Sequence, residues 1–200
     1  ASSPEPPLYL VDGQGYISYG KNYTIMLALR DLLGEEKLNS VLRGITDRHR
    51  YEVDGFGANT LEFIDDLYQQ TPPDQHVLID DWFKRVITYD LSLENTSYKK
   101  LEDGSFEVRL QLLSKRFETL TDGSNKAIDI NEPISIGFFS KHPSSVNKQN
   151  DIIYLKPHQI DRERMEIKLV VDELPQYVAI DPYGTRCDED FVDNMIRIEK

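Results

Sequence analysis

The feature that most constrains this fold is a change of hydrophobic period near Val86. Before it, apolar residues recur at three- and four-residue intervals. After it they alternate with polar ones, as in Ile87, Tyr89, Leu91 and Leu93. The first spacing lines one stripe of a helix, and the second lines one face of a strand. The 200-residue chain therefore divides into a helical part, 1–86, and a β part, 87–200, an α+β arrangement.

In the helical part, Ile25, Met26, Leu29, Leu32 and Leu33 predict a first helix from about Tyr19 to Leu33, stopped by Gly34. Tyr16 and Tyr19 are expected on an extended approach just before it or at its start, and Leu8–Val11 as a short extended segment. Glu35 and Glu36 open a second helix with the stripe Leu38, Val41, Leu42 and Ile45, ending in the basic stretch Arg43–Arg50. After the Gly-rich loop Asp54-Gly55-Phe56-Gly57, Asn59 with Glu62 three residues later resembles a capping box. Leu61, Ile64, Leu67 and Tyr68 then face inward from a third helix. Pro72-Pro73 breaks the chain, and Asp74 begins a fourth helix, with Trp82 and Phe83 as core anchors. Short connections predict that successive helices pack as antiparallel pairs.

In the β part, strands are expected from Ile87, around Phe106–Leu112, and then over Ala127–Ser140, Asp151–Lys156, Met165–Asp172 and Tyr177–Ile180. A long turn, Thr119–Lys126, separates the second strand from the third. Strands of this length and spacing predict an antiparallel β-sandwich.

A net charge of −12 with no basic stripe argues against a nucleic-acid or anionic-membrane partner, because phosphates are repelled. The single cysteine, Cys187, excludes an internal disulfide and a Cys-based zinc site. No apolar run approaches the roughly 20 residues needed to span a bilayer. The lead Ala1-Ser2-Ser3-Pro4-Glu5-Pro6-Pro7 reads as a linker, and because the first motif arrives almost immediately after it the chain is expected to be cut from something longer.

Local catalytic motifs are absent. The histidines, His49, His76, His142 and His158, stand far apart, with no H-E-x-x-H, and each reads as a surface or loop residue. The acidic runs Asp80-Asp81 and Asp188-Glu189-Asp190 lack calcium-loop spacing and read as solvated faces. What remains is Tyr19. A phenol hydroxyl held rigidly at a helix start can donate to negative charge developing on a substrate oxygen. The plainer reading makes Tyr19 a half-buried aromatic closing the top of the helix.

At Tyr19-Gly20-Lys21-Asn22, with Leu32-Leu33-Gly34-Glu35-Glu36-Lys37-Leu38, the sequence resembles the zinc aminopeptidases of the aminopeptidase N type, the gluzincins. There a Tyr-x-Lys-Gly motif opens a helix ending in Leu-Leu-Gly, and here Phe63 and Trp82-Phe83 fill the aromatic places that follow. The likeness covers about residues 8–86. It is closer still to bacterial membrane proteins in which an aminopeptidase-like domain follows an ABC transporter-type permease. Their end motifs match Pro7-Leu8-Tyr9-Leu10, Asp12-Gly13-Gln14, Asp181-Pro182-Tyr183 and Asp193-Asn194.

The resemblance implies that the zinc ligands lie upstream, in a part of the parent that this chain lacks. Zinc is thus expected in the parent and no cofactor here. Tyr19 alone carries over, as the donor to the oxyanion. Asn22 stands where the family has Gly. Implied partners are the upstream zinc-bearing part of the parent and a peptide substrate, with membrane attachment only through the permease segment. The implied location is extracytoplasmic, periplasmic or extracellular, with the cytoplasm as the alternative. A non-catalytic interaction or sensing module of a transporter-associated homologue is the competing expectation.

Overall fold

A computed structural model of the chain describes residues 5–51, 55, 57–146 and 149–199. The lead Ala1–Pro4 and, in the Gly-rich loop, Asp54 and Phe56 lie outside the described residues. The fold is α+β, with helices first and antiparallel sheets after them. It forms two compact units, one of Ala1–Ile87 with Glu118–Asn125, the other of Thr88–Phe117 with Lys126–Lys200.

The first unit holds α1 (Asn22–Leu33), α2 (Glu35–His49), α3 (Thr60–Gln70) and α4 (His76–Phe83), each packed on its predecessor. Gly34 ends α1 and opens α2 at φ +81°, a conformation that costs a Cβ-bearing residue energy. Its N–H donates to the Arg30 carbonyl at 2.8 Å. Asn59 caps α3 by accepting from the Glu62 N–H at 3.0 Å. The reciprocal half of the box is diverted: the Glu62 carboxylate instead accepts from Arg48 Nε and sits against His49 Nε2, both at 2.9 Å. That bond tethers α2 to α3.

Ile17, Ile25, Leu29, Ile64, Leu67, Ile79 and Phe83 form the core of this unit, with Trp82 also buried. The Phe63 and Phe83 rings meet edge to face at 5.8 Å. Three local expectations change. Leu8–Leu10 is a 3-10 turn rather than extended chain, Pro73–Gln75 is another ahead of α4, and Leu61 on α3 is 53% exposed, not inward. Half-buried Phe63 packs against the core of this unit.

The strands are β1 (Ile87–Lys100), β2 (Phe106–Thr119), β3 (Asn125–Ile128), β4 (Glu132–Phe139), β5 (Ile152–Ile160), β6 (Arg164–Val171), β7 (Tyr177–Ile180) and β8 (Met195–Arg197). One sheet runs β1-β2-β3 with β6 also on β2, and the other runs β5-β4-β7-β8. Antiparallel register sets Leu110 opposite Ile167 and Ile136 opposite both Lys156 and Ile180. Inward residues Leu91, Val108, Leu110, Leu112, Ile134, Ile136 and Phe138 are buried, the alternation a sandwich requires.

The expected strand Ala127–Ser140 divides into β3 and β4, which join different sheets. The expected long turn shrinks to residues 120–124, closed by Gly123 at φ +83° and by the Thr119 hydroxyl donating to Asn125 Oδ1 at 2.7 Å. β5 continues past Lys156 through Pro157, which an edge strand tolerates because its outer N–H row pairs with nothing in the sheet. β8 was not expected, being three residues long.

Candidate functional site

Tyr19 lies within a π-helical turn, Tyr16–Lys21, that runs directly into α1. The Gln14 carbonyl starts the turn by accepting from the Ile17 and Ser18 N–H groups at 3.1 and 3.0 Å. Asn22 N–H then donates to the Ile17 carbonyl, the wide i→i+5 bond of a π-helix. The tyrosines are thus inside the helical run, and the extended approach expected for them does not form. Ile17 explains why. Its complete burial contributes about 1.5–3 kcal/mol. A helical glycine such as Gly20 costs about 1 kcal/mol.

Tyr19 is 85% exposed, so it does not close the helix as a half-buried aromatic. Tyr16 and Tyr23 are also exposed. Lys21 is tied down, its ammonium 2.7 Å from Glu5 Oε1. The turn therefore has a fixed apolar root in Ile17 and an open phenol at Tyr19.

The histidines remain apart. His76 Nε2 lies 3.1 Å from both the Tyr68 and Thr71 carbonyls, His142 Nδ1 lies 2.8 Å from Ser144 Oγ, and His158 Nε2 lies 2.7 Å from the Tyr154 hydroxyl. His49, His76 and His158 sit in helices or a strand rather than in loops. Among the described residues, no group of three His, Cys, Asp or Glu is placed to hold a metal. The described residues therefore do not fit a zinc ion.

Between α3 and α4, the Tyr68 hydroxyl donates to Asp80 Oδ1 at 2.5 Å and accepts from Lys84 Nζ at 2.7 Å. Burial and the bond to Asp80 push Tyr68 above the ordinary phenol range, so it is no activated nucleophile. The trio is a clasp between helices. Asp81, expected on a solvated face, is buried and held by Arg85 Nη1 at 2.5 Å, and Arg85 also reaches Glu118.

The second unit contains a buried ionic cluster that the sequence reading missed. Glu132, at the start of β4, accepts from Arg186 Nε at 2.7 Å and from the Tyr89 hydroxyl at 2.9 Å, with Arg116 Nε 3.5 Å away. Burial, then the adjacent Glu132 charge, pushes the Tyr89 hydroxyl well above its ordinary value. Arg186 is delivered by a tight turn in which Asp181 has φ +46°. Strain of this kind costs about 1–3 kcal/mol and persists only where the surroundings over-determine it. Here the Asp181 carboxylate accepts from Thr185 N–H at 2.9 Å, Thr185 Oγ1 at 2.6 Å and Arg186 N–H at 2.9 Å.

Asp188 is likewise half-buried rather than solvated. It accepts from Leu91 N–H at 3.2 Å, Asn194 Nδ2 at 3.0 Å and Asp190 N–H at 3.2 Å, while burial pushes its carboxyl up. Beside it lies a cavity of about 250 Å³, walled by the His142–Ser144 turn, the Pro182–Gly184 turn and residues of the chain's last segment.

Among the described residues, no helix is long and apolar enough to cross a membrane. No family model matches this chain, and no curated protein matches it.

Proposed function

We propose that this chain is the C-terminal part of a membrane-associated, aminopeptidase-like zinc metalloprotein, its helical unit forming one wall of the substrate cleft. The observation that carries the reading is the π-helical turn, which roots Ile17 in the core and leaves the Tyr19 phenol in the open. The motif likeness at Tyr19–Asn22 and Leu32–Leu38 supports it. Tyr19 donates a hydrogen bond to a peptide carbonyl oxygen as that oxygen gains negative charge. The zinc ligands belong to the upstream part of the parent, which is the partner of this wall. The chain by itself is then inactive and takes up no zinc. The parent's permease segment supplies the membrane attachment and holds this part outside the cytoplasm.

The test is Tyr19→Phe in the parent protein, followed by hydrolysis of an aminoacyl chromogenic substrate. Turnover is expected to fall about 10²–10³-fold, as for other single oxyanion donors, with unchanged melting. Unchanged turnover removes Tyr19 from the mechanism. The second reading, a non-catalytic interaction or sensing module, is favoured by the separate cavity in the β unit. A parent that neither binds zinc nor cleaves peptides would establish it.

A further inference from the structure

β6 lies at one edge of its sheet, and among the described residues the side of it away from β2 pairs with no strand. Which groups face that side follows from the register. Ser114 N–H donates to the Glu163 carbonyl at 2.7 Å, one step beyond Leu113 opposite Arg164. In an antiparallel ladder the bonded pairs recur at every second residue, so Met165, Ile167, Leu169 and Val171 turn their backbone groups toward β2. Arg164, Glu166, Lys168 and Val170 turn theirs outward. The side chains of these four are exposed, whereas Ile167 and Val171 are buried and Met165 and Leu169 half-buried. The strand holds neither proline nor glycine, and its pairing with β2 carries no register shift. So regular an edge is a template for another strand unless its charges prevent it.

The charges here favour one arrangement. Let two copies of β6 pair antiparallel with the dyad at Ile167, so that outward-facing backbone groups meet. Glu166 then stands opposite Lys168 of the second copy, and Lys168 opposite Glu166 of the second copy. On the inner face Ile167 meets its own counterpart and Met165 meets Leu169, which extends the apolar layer. The neighbouring registers set like charges opposite one another. A dyad at Glu166 or Lys168 sets that residue against itself, a dyad at Met165 sets Lys168 against Arg162, and a dyad at Leu169 sets Glu166 against Asp172. Within one strand Glu166 and Lys168 already lie 3.0 Å apart, but at 42% and 51% exposure that pair is worth little, so exchanging partners costs little.

We propose that β6 is the contact edge of a two-fold dimer, in which two copies of this chain join antiparallel about Ile167 into one continuous sheet. The proposal does not rest on the aminopeptidase reading. The test is sedimentation equilibrium of the 23.2 kDa chain at low salt, up to about 1 mM, because an edge of this length makes a small interface and a weak dimer. Doubling of the mass is expected. Glu166→Lys and Lys168→Glu each set like charges opposite twice, and each should raise the dissociation constant about tenfold or more with melting of the monomer unchanged. Mixing these two variants should restore association as a heterodimer, since every pair across the edge is then of opposite charge. The chain carrying both changes should dimerise like the unaltered one. A chain that stays monomeric leaves the edge to a strand of another protein and overturns the proposal. So does a dimer that the single changes leave intact, or a mixture that fails to associate.

Discussion

Arg186 Nε donates to Glu132 Oε2 at 2.7 Å, and the two side chains are 5% and 0% exposed. Charges this deep are tolerable when they are paired and hydrogen-bonded, and here the Tyr89 hydroxyl, Thr185 and the Pro133 carbonyl bond to the pair while Arg116 adds a second positive charge beside Glu132. The pair also fixes the last segment of the chain against β1. Tyr89 N–H donates to the Cys187 carbonyl at 2.9 Å, and Leu93 N–H to the Asp193 carbonyl at 3.0 Å.

Removing one member should therefore do more harm than removing both. Glu132→Ala is expected to cost about 3–5 kcal/mol in urea unfolding, because Arg186 is left as an uncompensated buried charge. Adding Arg186→Met should recover part of that loss. A cost under about 1 kcal/mol for Glu132→Ala would mean that water reaches the cluster.

Gly137 sits in β4 where the register shifts between Phe138 and Phe139. A Cβ at this position would lie 2.4 Å from Phe139 Cε2, and that ring is fully buried. Gly137→Ala should destabilise the β unit by about 1–3 kcal/mol through overpacking. Thermal unfolding that matches the parent chain would show that the Phe139 ring can swing aside.

His158 supplies the pH dependence. Burial, with the positive charge of Lys156 adding to it, holds its pKa below the ordinary 6.5. The unfolded chain takes up the proton first, so this contribution to stability is complete above pH 6.5 and is lost as pH falls through the lower folded value. His158→Gln should flatten the stability profile below pH 6.5. Lys156→Gln should raise the midpoint of the His158 ring signals only part of the way, since burial is the larger cause. A full return to 6.5 would make the charge, not burial, the main cause.

Ile17 and Tyr19 are two residues apart and should respond oppositely. Ile17→Ala is expected to cost about 2–5 kcal/mol as a core truncation. Tyr19→Phe should leave stability within about 0.5 kcal/mol, since little of its ring is covered. Similar losses from both would place Tyr19 in the core of the helical unit.

Local physics made much of this fold legible in advance. The change of period at Val86, the Asn59 cap and Gly34 at a positive φ all follow from neighbouring residues. Their energies are decided within a turn or two of chain. Pro157 and Leu61 misled for a related reason. A proline reads as a strand end unless the strand is known to lie at an edge, and a helical stripe does not show how wide its covered face is.

The sequence by itself determined the four helices and the change to strands after Val86, because those choices depend on spacing and caps. It also singled out Tyr19. Only the tertiary structure decided that Ile17 draws the helix start back past that tyrosine, leaving the phenol uncovered. Only the tertiary structure, too, could bring Glu132 to Arg186, 54 residues along the chain, and bury both. A carboxylate bound for the core is written with the same letter as one bound for solvent. What separates them is the set of partners that long-range packing brings within hydrogen-bonding distance.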